Sequence, residues 1–170
     1  MGTLQTIITS VAAGLLLAAI IFVAKSQFGM QPRLRVRILP GPSSSASGRT
    51  DNIKCTWNKR MELYNLTDFP ALDLSFIWPD PMRQLPLPAL DPPHVGATET
   101  KVLEFQIVKE FPREQVVACH DRFKELLPAE LQAFVVVLQY QNNKGIRFYT
   151  RYERNGETED CTFHRLKPTK

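Results

Sequence analysis

The spacing of apolar side chains changes along the chain, and each change marks an element. Residues 7–24 read IITSVAAGLLLAAIIFVA and hold no charged side chain. A helix of that length is roughly 27 Å long, close to the thickness of a hydrocarbon core. The pattern therefore predicts an N-terminal transmembrane helix within residues 1–25, followed by a juxtamembrane linker at 26–32. From residue 33 the period is two. Leu34, Val36 and Ile38 alternate with Arg33, Arg35 and Arg37, as in a half-buried strand. Pro40-Gly41-Pro42 and the serine run that ends at Gly48 read as a flexible loop. Alternation returns at Ile53, Cys55 and Trp57, again at Leu72, Leu74 and Phe76, and again at Leu103, Phe105 and Ile107. Residues 79–93 contain six prolines, which lack the amide donor a ladder needs. That stretch is expected to be an extended surface crossover, with a polyproline II ligand for a partner domain as its functional alternative.

Over residues 112–127 the period becomes helical. Val116, Cys119, Phe123 and Leu126 fall at three-to-four-residue spacing, Pro112 suits a first helical position, and Pro128 stops the run. Phe134 to Tyr140 is apolar and β-branched. Asn142 to Gly145 reads as a turn, and Ile146, Phe148, Thr150 and Tyr152 alternate after it. Asn155-Gly156 predicts a two-residue hairpin into a last strand. The fold class that follows is mainly β: a single N-terminal transmembrane helix followed by an antiparallel immunoglobulin-like β-sandwich with one short helix, the sandwich covering residues 33–168. A small barrel is the alternative. In architecture only, the strand rhythm over residues 33–166 resembles the immunoglobulin-like modules that bacteria attach to membrane helices. The Cys-Trp-Cys spacing of antibody domains is absent, since Cys55 and Trp57 share one strand.

With 170 residues the chain is one domain and an appendage, too short for a barrel enzyme of about 250 residues. The net charge of +4 gives a pI near 9.1, but the charge is unevenly placed. Residues 25–64 hold eight basic and two acidic side chains, whereas residues 65–170 hold thirteen and fifteen. A nucleic-acid footprint spread over the domain is therefore not expected. The basic collar of Lys25, Arg33, Arg35 and Arg37 is expected to touch lipid headgroups and to keep the body cytoplasmic. The expected location is a bacterial inner membrane with the C-terminal domain in the cytoplasm, the periplasm being the alternative. Three cysteines, an odd number without framework spacing, agree with a reducing compartment.

Candidate chemistry is sparse. Cys119, His120, Cys161 and His164 are zinc-type ligands, and a thiol with a histidine would suffice for nucleophilic catalysis. On a strand, however, Cys161 and His164 point to opposite faces, and Cys119 and His120 diverge on a helix. Arg147, Tyr149 and Arg151 share one strand face that could hold an anion. Asn65-Leu66-Thr67 matches a glycosylation sequon. No cofactor is expected. The expected function is a membrane-anchored, non-catalytic binding or scaffolding module, with the bilayer and a protein as partners. Alternatives are a Cys/His enzyme or metal-binding domain, and a membrane-acting or signalling protein that oligomerises through its helix, where Gly14 and neighbouring alanines permit close packing.

Overall fold

The computed structural model describes residues 14–23, 31–48, 51–118 and 126–168. The chain divides into two compact units, Met1–Gln31 and Pro32–Lys170. In the first, residues 14–23 form a helix, α1. Ten residues rise about 15 Å, half of a hydrocarbon core. No helix among the described residues is long and apolar enough to cross a membrane. The transmembrane helix expected over residues 7–24 is thus corrected. The single-pass topology and the inner-membrane location lose their basis with it. Residues 7–13, Ala24 and Lys25 lie outside the described residues.

Among the described residues of the second unit there are seven strands: β1 (Leu34–Ser47), β2 (Asn52–Asn65), β3 (Leu72–Ile77), β4 (Thr100–Pro112), β5 (Ala133–Gln141), β6 (Arg147–Asn155) and β7 (Thr158–His164). They form a three-stranded sheet in the order β1-β2-β4 and a four-stranded sheet in the order β3-β5-β6-β7. Every neighbouring pair is antiparallel. The chain is mainly β and sandwich-like, with a few short helices. The strand distribution departs from the immunoglobulin constant pattern, which places four strands in the sheet that carries the first strand. Here the sheet that carries β1 has three strands and the opposite sheet has four.

One cluster of buried side chains joins the sheets. Val36, Trp57, Met61 and Phe105 come from the first sheet, and Phe134, Leu138 and Tyr152 from the second. Rings of Trp78, Phe134 and Tyr152 lie in sequence, with centroids 6.4 and 5.6 Å apart. The Tyr140 and Thr150 hydroxyls share a buried hydrogen bond of 3.0 Å, which satisfies two polar groups that would otherwise cost stability in the core.

Two expected loops turn out to be structured. The stretch from Pro40 to Ser47 is strand: after a bulge between Pro40 and Ser44, Ser44 to Ser47 pair with Trp57 to Lys54. A Cβ at Gly41 would lie 2.4 Å from the Asn58 carbonyl oxygen, so the close approach at this bulge requires glycine. The proline-rich crossover is anchored along β3. Ala71 and Val95 exchange two backbone hydrogen bonds of 2.9 Å, and Leu74 N donates to the Pro93 carbonyl at 2.8 Å. Leu85 and Val95 are buried. The crossover therefore covers the outer edge of β3, an edge that would otherwise offer unpaired groups. The expected helix is seen as α2 (Arg113–Ala118), with residues 119–125 outside the described set. Pro128 precedes a separate short helix, α3 (Ala129–Gln132).

Candidate functional site

The first half of β5 departs furthest from the alternation of the strands. Phe134, Val136, Leu138 and Tyr140 point into the core. Of the outward positions, Ala133, Val135 and Val137 are also apolar, whereas Gln139 and Gln141 are polar, and Val137 is buried although it points away from that core. An antiparallel strand that is apolar on both sides over its first half implies a second covered face there. The covering is partial and leaves a half-open groove of about 900 Å³ on the outer face of the four-stranded sheet. Its floor is Ile77, Ala133, Val135 and Val137. Ile77 pairs with Val137 across β3 and β5, so the apolar positions run as one stripe.

Two segments make the walls. On one side the chain leaves β3 through Trp78 and Pro79 into a 3-10 turn at Pro81–Arg83. Asp80 caps that turn by accepting from Met82 N at 3.0 Å. On the other side the residues after β7 bring Lys167 and Pro168 to the groove. Charged groups stand on the β6 side. Arg151 pairs with Glu153 at 2.6 Å, and Arg154 with Glu159 at 3.2 Å. A concave site of several hundred Å³ with an apolar floor and a few charged groups is the ordinary form of a small-ligand pocket.

No family model, curated protein or solved structure matches the chain.

The structure disperses the residues that the sequence singled out. Cys161 and His164 stand on opposite faces of β7. The Cys161 thiol turns inward and lies 3.9 Å from the Leu34 carbonyl, while His164 Nε2 lies 3.0 Å from Thr162 Oγ1. Burial pushes the Cys161 thiol up, although a backbone contact at Val36 and the Arg35 charge oppose this. It is therefore poorly set up as a thiolate. Cys119 and His120 lie outside the described residues. Among the described residues, no group of three His, Cys, Asp or Glu could hold a metal ion.

The basic row on β1 is exposed as expected, but it has neighbours. The Arg33 guanidinium lies 6.0 Å from the Phe163 ring centre. Arg35 and Arg37 border a cleft between β1 and β7 of about 390 Å³ that also contains Glu159 and Asp160. The anion-binding face on β6 is only partly displayed. Arg147 is exposed, but Tyr149 is buried at 8% and Arg151 is engaged by Glu153. The sequon is a structural turn. Asn65 is fully buried, donates from Nδ2 to the carbonyls of Phe69 and Gly96 at 2.7 and 2.9 Å, and accepts from Thr67 N at 3.1 Å. A glycan on Nδ2 would have to break those bonds.

Sequence reasoning missed Val135, Val137, Ile77 and Lys167. The available signal was the unbroken apolar run from Ala133 to Leu138, set against the clean alternation from Leu34 to Ile38 on β1.

Proposed function

We propose that the second unit is a non-catalytic binding module that takes a small ligand in the groove over the four-stranded sheet. The observation that carries this is Val137, an outward-facing residue that is 3% exposed on the floor of a cavity of about 900 Å³. A solvated sheet face carries polar residues at such positions. This floor is apolar, and its walls come from two irregular segments, the usual place for binding residues. The separation of Cys161 from His164 and the raised thiol support binding over thiol catalysis.

The test is a fragment screen by amide NMR on the isotope-labelled full chain. Apolar fragments should shift the amides of Ala133, Val135, Val137 and Arg151 together, and Val137→Glu should remove those shifts. Fragments that leave these amides unmoved, or that shift Val102 and Val108 on the other sheet equally, would overturn the proposal.

A further inference from the structure

The groove separates its chemistry sideways. Its apolar positions run along β3 and β5, from Ile77 through Val137 and Val135 to Ala133. Its cations lie on the walls and on β6: Arg83, Arg151, Arg154 and Lys167, against only Asp80 and Glu153 as lining acids. Three of the four cations already have an acid within ion-pair distance. Arg83 lies 3.5 Å from Asp80, Arg151 2.6 Å from Glu153, and Arg154 3.2 Å from Glu159. Lys167 has no such acid among the described residues.

From this arrangement we infer that the ligand is an amphipathic anion: an apolar chain or ring laid on the β5 stripe, with one acid group held at Lys167. The inference rests on the groove being a binding site and adds the charge and shape of what it binds. Four strand positions separate Ala133 from Val137, a stripe of roughly 14 Å. That length suits an extended acyl chain of medium length or a fused aromatic body. A neutral ligand would leave the excess positive charge uncompensated, and a cation would meet it directly. The ammonium of Lys167 is a compact, mobile charge, so it suits a carboxylate, sulfate or phosphate head equally.

Three amphiphiles with the same chain and different heads separate these outcomes: decanoate, decanol and decyltrimethylammonium. Each is titrated calorimetrically into the full chain below its micelle concentration. Decanoate should bind most tightly, decanol more weakly, and the cation least. Lys167→Glu should weaken decanoate roughly fivefold to tenfold, as expected for one accessible charge contact, and leave decanol unchanged. Lys167 is exposed, so its substitution leaves the core intact, which circular dichroism checks. If decanol binds as well as decanoate, or Lys167→Glu leaves decanoate unchanged, the anion assignment fails and the groove remains a binding site. If none of the three binds, the binding-site proposal fails as well.

Discussion

The two outer faces of the second unit are made by the same pleat, yet they differ in kind. Across the three-stranded sheet, opposite charges stand directly opposed in register: Arg37 with Glu62, Arg60 with Glu104, and Lys54 with Glu110. Such pairs favour antiparallel pairing and suit water. Across the four-stranded sheet the corresponding row is Ile77, Val137 and Arg151. One face is finished by solvent, and the other is apolar along β5 and walled by Trp78 and Lys167. Alternation in a strand reports that its outward side meets water, and failure of alternation reports that something else covers it.

The strongest way to probe this contrast is to cross β5 itself. Phe134 points into the core, is 2% exposed, and packs between Trp78 and Tyr152. Phe134→Ala should cost about 3–5 kcal/mol, as for other buried aromatics, measured by urea unfolding. Val137, three residues along and facing outward, should tolerate Ala at about 1 kcal/mol. Equal losses at the two sites would mean that the outward face is core rather than groove.

The next contrast sets one outer face against the other. Val137→Glu places a charge on the covered floor and should cost roughly 1–3 kcal/mol. Val102 is 46% exposed on β4, and Val102→Glu should stay within about 0.5 kcal/mol of the parent. Asn65 offers a similar effect without any charge. Asn65→Ala leaves the Phe69 and Gly96 carbonyls without their donor and should cost about 1–3 kcal/mol. If that variant keeps its stability, the sequon is not the structural turn described above.

The inner face of the four-stranded sheet also sets an alkaline limit. Burial pushes the Tyr140 hydroxyl up, partly offset by its bond to Thr150. Burial raises Tyr152 as well, and the Glu159 charge adds to it. An unfolded chain loses these protons first, near pH 10. The folded state is therefore fully favoured below that value and loses ground as pH rises from there toward the folded values, by roughly 1 kcal/mol per pH unit for each tyrosine. Urea midpoints at pH 8, 9.5 and 10.5 measure it, and Tyr152→Phe should flatten the fall above pH 10.

Much of this architecture was legible in the sequence. Period-two spacing located the strands from Leu34, Trp57, Leu103 and Phe148, and glycines at positive φ confirm the turns at Gly145 and Gly156. What stayed hidden depended on partners distant in sequence. The segment from Pro40 to Ser47 looks like a loop because its pairing with β2 is made by the backbone. The apolar stretch from residue 7 to 24 reads as a membrane span by hydropathy alone, whereas no helix among the described residues is long and apolar enough to be one. The groove was the hardest to see, since its floor, its tryptophan wall and Lys167 come from β3, β5 and the residues beyond β7. The apolar run of β5 signalled a covered face without saying what covers it.

The smallest expected effect links the two layers that the faces belong to. Lys109 Nζ on β4 lies 2.6 Å from Glu130 Oε1 on α3, the turn that feeds β5. Among the ion pairs of the described residues, it alone joins a strand of the three-stranded sheet to the segment that leads into the other. The hydrogen bond from Lys109 holds the Glu130 carboxyl below its ordinary value, against a small opposing effect of burial. A depressed carboxyl stabilises the fold above the unfolded value near pH 4.3, and this contribution disappears as pH falls through the folded value. Both side chains are partly exposed, at 44% and 24%, so water screens the pair and its worth is about 0.2–1 kcal/mol. A double-mutant cycle with Lys109→Ala and Glu130→Ala, run at pH 7 in low salt and in about 1 M salt, should give that coupling in low salt and a clearly smaller one in high salt. A coupling that salt leaves unchanged would show that the contact is packing of the lysine stem against α3, and this tie between the layers would then be apolar.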